Sequence, residues 1–156
     1  MSNFTIQEIS PTDRELVSLI SEWCFDEWKI SPEITEQRFT QFSKDDIVFH
    51  LIVKEGIVPI AAGGLHWNVG LFKLHPEFRT AEPWVALVYT IPEKRGQGIA
   101  TLLMKEIEQR ALRLGFKKIL LFTNTAESLY KKLGWTVMHR LIYKEKDTVV
   151  MEKELS

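Results

Sequence analysis

The 156-residue sequence predicts a mixed α/β fold, a strongly twisted and mostly antiparallel sheet of six to seven strands with helices on both faces. Three observations predict it. Segments with apolar residues at three- and four-residue steps are interleaved with β-rich runs. The run "WVALVYTI" is apolar almost throughout, as a strand covered on both faces must be. The turn "RGQGIA" then joins that run directly to a helical stripe.

Taken in order, "NFTIQEI" reads as a first strand closed by Ser10-Pro11. From Thr12, the spacing of Leu16, Leu19, Ile20, Trp23 and Phe25 to Trp28 predicts an amphipathic helix stopped near Ser31-Pro32. A shorter helix follows in "PEITEQRFTQFS", with Pro32 in its first turn and Ile34, Phe39 and Phe42 on one side. "IVFHLIVKEGIVPIAAGGL" gives two strands about a hairpin turn at Glu55-Gly56. Residues 66 to 82 read as a polar, irregular, substrate-facing loop. After the central strand, Ile99, Leu103, Ile107, Ala111 and Leu114 form the stripe of the next helix, and Gly115 supplies its left-handed stop. "FKKILLFT" is a strand, "TAESLYKKLG" a short helix, and "WTVMHRLIY" and "TVVMEKEL" are closing strands about a turn at Lys146-Asp147. Repeats and linkers are absent, so residues 1–156 are expected to form one domain.

Composition bounds the function. With 45% apolar and 26% charged residues the chain should fold by burial, and a formal net charge of -1 supplies no global field to hold nucleic acid or an anionic membrane. The lone Cys24 cannot close an internal disulfide, and it sits beside Trp23 and Phe25 on the apolar side of the first helix, where it reads as a small hydrophobe. The polar start lacks a secretory pattern and no apolar run is long enough to span a bilayer, so a soluble, cytoplasmic protein without membrane or nucleic-acid partners is expected.

The glycines at 96 and 98 have a plain reading as a tight strand-to-helix turn and a sharper one as a phosphate cradle. The first turn of a helix leaves N–H groups unpaired, and glycine lets an anion approach them. Gly96, Gln97, Gly98, Ile99, Ala100 and Thr101 therefore form a candidate pyrophosphate cradle, with Lys94 and Arg95 adding positive charge and Glu93 opposing part of it. A nucleotide triphosphate loop would need Lys-Ser/Thr after its last glycine, where Ile99-Ala100 stand. A dinucleotide fingerprint would need a third small residue in place of Thr101 and an acidic residue for the ribose between Glu108 and Glu127. Neither is present.

What remains resembles the GNAT superfamily of acetyl-CoA-dependent N-acetyltransferases. Arg95-Gly96-Gln97-Gly98-Ile99-Ala100, after Pro92-Glu93, matches its Arg/Gln-x-x-Gly-x-Gly/Ala signature. The resemblance implies that these amides hold the coenzyme A pyrophosphate and that Val88, Tyr89 and Thr90 pair with pantetheine as an added strand would. Thr90 stands where the family usually has an aliphatic residue. A second match, in "TNTAESLYKKLGW", covers Ala126, Leu129, Tyr130, Lys132, Gly134 and Trp135, with Thr123 in the family's asparagine place and Asn124, a candidate cofactor contact, one residue on. By this resemblance Tyr130 protonates the leaving thiolate; on its own it would read as a core aromatic beside Leu129 and Leu133. The two motifs cover about residues 84 to 136, and the family's "FKKILLFT" strand runs parallel to the strand ending at Thr90, splaying from it to admit pantetheine.

The implied reaction moves an acetyl group from acetyl-CoA to a primary amine, on a small molecule or a peptide N-terminus, by direct attack in a ternary complex without a metal. A backbone N–H on the strand at Val88 to Thr90 is expected to polarise the thioester carbonyl. Glu82, His66, His75 and a water relay are the candidates for the base, Glu82 reading more simply as a solvated loop charge beside Pro83. Trp23, Trp28, Glu22, Asp26 and Glu27 would wall the acceptor site and suit a cationic amine, or else form the ordinary solvated face of a helix. "PW" and "LFT" add some likeness to peptide N-terminal acetyltransferases. The alternative function is a non-catalytic acyl-CoA-binding sensor, then a module with a glycine turn and no ligand. A homodimer paired through the closing strands is compatible with the sequence.

Overall fold

The computed structural model describes residues 3–42 and 44–156; Met1, Ser2 and Ser43, parts of the opening stretch and of the second helical pattern, lie outside the described residues. The described chain runs β1 (Phe4–Glu8), α1 (Arg14–Trp28), α2 (Pro32–Gln41), β2 (Ile47–Glu55), β3 (Val58–His66), α3 (Leu71–Leu74), β4 (Trp84–Thr90), α4 (Ile99–Arg113), β5 (Lys118–Thr123), α5 (Glu127–Lys132), β6 (Thr136–Tyr143) and β7 (Lys146–Glu154). The strands form one 7-stranded sheet in the order β1-β2-β3-β4-β5-β7-β6. Every neighbouring pair is antiparallel except β4 and β5.

Alternation along the strands sends side chains to two covered faces. Leu51, Val53, Ala61, Leu65 and Val85 meet Ile99, Leu103, Met104, Ile107 and Ala111 of α4. On the opposite face Ile47, Ile52, Ala62 and Tyr89 meet Val17, Ile20, Trp23, Cys24 and Phe39 of α1 and α2. Farther along that face Val69, Leu71 and Phe72 close over Trp84, Leu120 and Val150.

Several expectations need correction. Residues 66 to 82 are not an irregular polar loop: they contain α3 and a 3-10 turn over Pro76–Phe78, and Leu71 is fully buried. Short polar stretches hid the apolar triplet that seats the segment on the sheet. His66 does not belong to it, being the buried last residue of β3. In α2 the buried positions are Thr35 and Phe39, while Ile34 is exposed. In α4 Leu114 is 60% exposed past the end of the stripe and Met104 is buried. The last hairpin turns at Lys144 (φ 50°) and Glu145 (φ 65°), not at Lys146-Asp147, because Tyr143 pairs directly with Lys146. Two left-handed residues match the twist of a two-residue hairpin loop.

Candidate active site

The parallel pair sets the geometry. β4 and β5 register at one place only, Trp84 with Leu120, reinforced by the Leu120 N–H donating to the Pro83 carbonyl at 3.2 Å. Beyond it the strands no longer pair, so a V opens toward their carboxyl ends. Within the open stretch, β4 carries a bulge against β3. Ala62 pairs with Tyr89 and Gly64 with Ala86, leaving Gly63 opposite both Leu87 and Val88, and Leu87 takes φ 57°. A bulge turns ladder groups away from their partner strand. Leu87 is the part of the site that sequence reading missed, because no residue type there announces a left-handed conformation.

The arm of β4 leads through a 3-10 turn at Pro92–Lys94 into the glycine turn. Gly96 (φ 77°) and Gly98 (φ 82°) are both left-handed, and a Cβ built on either would meet nothing within 4 Å. Gly98 caps α4, whose first helical bond across the cap runs from the Leu102 N–H to the Gly98 carbonyl at 3.0 Å. Among the described residues, none of the amides from Gly96 through Gln97, Ile99 and Ala100 to Thr101 donates to a protein carbonyl outside the helix, the pattern a helix start leaves. These amides, and the helix dipole behind them, form a space suited to a diphosphate.

The two cations expected to assist are already engaged. Lys94 Nζ lies 2.6 Å from Glu55, and Arg95 reaches Glu27 at 3.6 Å. Arg95 Nε also donates to the Thr90 carbonyl at 2.8 Å, and its guanidinium lies 5.3 Å from the centre of the Tyr89 ring. Anion binding here would thus rest on backbone amides more than on side-chain charge. Tyr89 stacks on Trp23 at 5.2 Å and meets Trp28 edge-on at 6.4 Å, so its ring is turned into the α1 side of the sheet. Burial, then the carboxylates of Asp26 and Glu27, raise the Tyr89 phenol despite Arg95. Trp23 is buried in the core, while Glu22, Asp26 and Glu27 are exposed, as the solvated-face reading expects.

The other arm carries Tyr130. The Thr123 hydroxyl accepts from the Thr125 and Ala126 amides at 3.3 and 3.1 Å, which closes the turn that starts α5. Asn124 is exposed on that turn, in a cleft shared with Arg140 and Asp147. Glu127 clamps the helix to β6 through Arg140 at 2.9 and 2.8 Å, and these bonds, with Lys131, pull its carboxyl down to about 2. Tyr130 is 7% exposed, with its ring 6.1 Å from Trp135 within the α4-side cluster. Burial pushes its phenol up to about 12.

Glu82 lies at the closed end of the V, two residues before the Trp84–Leu120 pair, with Lys118 Nζ at 3.9 Å. It is therefore at the opposite end of β4 from the glycine turn. His75 is partly exposed, 3.4 Å from Glu77. His66 is enclosed with His50, and burial holds it well below its ordinary value, so it is neutral and has no route to solvent as a base. Cys24 is buried, and burial raises its thiol to about 12, which suits a packing residue rather than a nucleophile. Among the described residues no group of three or more His, Cys, Asp or Glu could hold a metal ion, and no helix is long and apolar enough to cross a membrane.

Known proteins agree with this geometry. Residues 14–135 match the model of the Acetyltransferase (GNAT) family. A comparison with curated protein sequences finds no match. Among solved structures, an aminoglycoside 6'-N-acetyltransferase complexed with coenzyme A superposes with TM-score 0.74 at 14% identity, covering 96% of both chains. The ribosomal-protein-S18-alanine N-acetyltransferase from Escherichia coli gives 0.72 at 15%, covering 99% of this chain and 95% of that one. The structure of yncA from Salmonella typhimurium with its cofactor acetyl-CoA gives the same values, 0.72 and 15%, over 99% and 95%. At such identities the likeness is one of fold. With the family model spanning most of the sequence, this chain belongs to the acetyltransferase (GNAT) family.

Proposed function

We propose that the protein transfers the acetyl group of acetyl-CoA to a primary amine, on a small molecule or a peptide N-terminus, by direct attack in a ternary complex. The observation that carries the reading is the run of open amides from Gly96 to Thr101 on one arm of the V, with a protonated Tyr130 on the other. Bound acetyl-CoA supplies an activated thioester. The amides of residues 96 to 101 hold its diphosphate, and the β4 backbone at Val88, Tyr89 and Thr90, whose β5-facing edge is left open where the parallel pairing ends, binds the pantetheine arm and donates an N–H to the thioester carbonyl. Exposed Asn124 is available to the carrier from the facing turn.

Tyr130 donates from Oη the proton that the leaving sulfur takes. A phenol near 12 is fully protonated at neutral pH, as a donor must be. Giving that proton to a thiolate of ordinary acidity is uphill by about 3.5 pKa units, about 5 kcal/mol. That is well inside the barrier of about 16 kcal/mol for a turnover near 10 per second. For the base, Glu82 with its Lys118 partner, His75 and a water relay remain the choices. The amine enters from the side walled by α1, α2 and residues 67 to 82.

The test is release of free thiol from acetyl-CoA across a panel of primary amines. Stimulation by at least one amine is expected, and Tyr130→Phe should lower that turnover by about a hundredfold while leaving the thermal shift with coenzyme A intact. Full turnover in Tyr130→Phe would remove the acid role. Slow thiol release that no amine accelerates would favour an acyl-CoA sensor.

A further inference from the structure

The amine-facing side of the sheet buries a polar chain that the transfer chemistry leaves unused. It begins at Asp46, whose carboxylate accepts from Arg38 Nε and Nη2, both at 2.8 Å. Arg38 Nη2 also lies 3.0 Å from His66 Nδ1 and 3.1 Å from the Asn68 carbonyl. His66 Nε2 lies 3.0 Å from His50 Nδ1. The Trp67 N–H donates to the Asp46 carbonyl at 2.8 Å, and Asn68 Oδ1 accepts from Arg79 at 3.4 Å.

Direction along this chain follows from one fact, that a guanidinium only donates. Nη2 has two hydrogens, so one goes to Asp46 and the other is shared by His66 Nδ1 and the Asn68 carbonyl. Facing a group that only donates, His66 Nδ1 is the acceptor, and the proton of neutral His66 sits on Nε2 and is given to His50 Nδ1. The proton of His50 then sits on Nε2, which is buried with no partner among the described residues; the His50 ring meets the Phe39 ring edge-on, centroids 4.7 Å apart. Arg38 cannot pass a proton on, so the chain is not a conduit. What it can do is hold things still. It fixes both imidazoles in one tautomer and pins residues 66 to 68, the start of the segment that α3 seats over Trp84 and Leu120 at the apex of the V.

We propose that Arg38 is the positioning residue of the amine-side wall, joining α2, β3 and residues 67 to 82 into one rigid surface above the closed end of the V. This rests on the acetyl-transfer reading for its functional consequence, because that reading puts the amine against this wall. The diphosphate cradle hangs from the other end of β4 and shares none of these contacts, so the two halves of the site should separate experimentally.

The test uses the full chain with Arg38→Leu, and Arg38→Lys as the conservative variant. Long-range 1H–15N spectra of the wild type near pH 7 should show both His50 and His66 protonated on Nε2. In Arg38→Leu, amide exchange over residues 67 to 82 should rise about tenfold while amides of α4 keep their protection. The thermal shift with coenzyme A should not change. With an alanine-terminated peptide or an aminoglycoside as acceptor, the acceptor KM should rise about tenfold with the acetyl-CoA KM constant, and Arg38→Lys should recover part of the loss. If Arg38→Leu does not fold, Arg38→Lys carries the same comparison with about a threefold expected change. Unaltered exchange at 67 to 82, an Nδ1–H form of either histidine, or both KM values rising together would overturn the proposal. Should the wild type turn over no amine at all, the transfer reading fails, and the exchange and tautomer measurements still decide whether Arg38 holds the wall.

Discussion

The two faces of the sheet are held by different physics. Against α4 the contacts are apolar almost without exception, from Phe49, Leu51 and Val53 on β2 to Ile99, Leu103 and Ile107 on the helix. Against α1 and α2 the same strands bury His50 and His66, and the covering helices bury Ser21 and Thr35. Burial alone is tolerant of shape and secures a platform; buried polar networks tolerate little and fix geometry. The difference matches the division of labour proposed here. The tolerant face carries the helix whose start forms the cradle, where backbone amides need only be presented. The exacting face supports the wall against which the amine is proposed to bind.

The largest expected effect removes packing from the tolerant face. Leu103 is fully buried between α4 and the sheet, so Leu103→Ala should destabilise by about 4 kcal/mol through lost transfer energy and a cavity. The midpoint of urea unfolding measures it, and a change under about 1 kcal/mol would mean that α4 is not held by this contact. Next come two adjacent glycines that point to opposite faces. A Cβ on Gly64 would lie 2.5 Å from the Phe49 carbonyl oxygen and collide with the His50 ring, both of them fixed. A Cβ on Gly63 would meet side-chain methyls of Leu103 and Val88 at 3.1 Å and the Val88 Cα at 3.3 Å, contacts relieved by a shift of a few tenths of an ångström. Gly64→Ala should therefore cost about 3 kcal/mol and Gly63→Ala clearly less. Equal losses would erase the distinction between the faces.

What the sequence made legible follows the same divide. The α4 stripe, the first hairpin (one residue from its actual loop at Gly56-Ile57) and the glycine turn were readable because period, turn residues and helix starts are local rules. Leu114 and Ile34 were misassigned because a period says which side a residue is on, not where the neighbouring element ends. Residues 66 to 82 were misread because Val69, Leu71 and Phe72 gain their burial from Trp84, Leu120 and Val150, partners far along the chain. Arg38, His50 and His66 were invisible as a unit for the same reason, and Leu87 because its left-handed φ is imposed by pairing across Gly63. Tyr130 was legible only through its motif, since burial among apolar neighbours is what any core tyrosine would show.

Acid sharpens the comparison by a smaller amount. Burial, with the charge of Arg38 second, pulls His50 down to about 3, and His66 is also held low. In the unfolded chain both titrate near 6.5, so below that pH the unfolded state binds protons that the folded state refuses, and stability falls with acid. The contribution is whole above about 6.5 and is lost progressively toward 3. From pH 7 to pH 5 the loss from His50 should be about 2 kcal/mol, with His66 acting in the same direction. Unfolding midpoints at the two pH values test this. His50→Leu should have a shallower dependence than the wild type, and a flat wild-type profile would mean that the pair is not neutral and enclosed as described.

The smallest effect on stability separates the cradle from the platform that carries it. Gly98 and Gly115 bracket α4, with φ 82° and 95°, and a Cβ on either would meet no atom within 4 Å. Alanine at each site therefore adds the left-handed penalty of about 1 kcal/mol and little else. The two variants should melt alike. Their response to coenzyme A should differ, because a methyl on Gly98 stands over the amides of residues 96 to 101, whereas one on Gly115 stands at the far end of the helix. A ligand that binds only the folded state raises the melting temperature in proportion to its affinity. Gly115→Ala should keep the wild-type shift and Gly98→Ala should lose most of it; if both keep it, the diphosphate is held somewhere other than these amides.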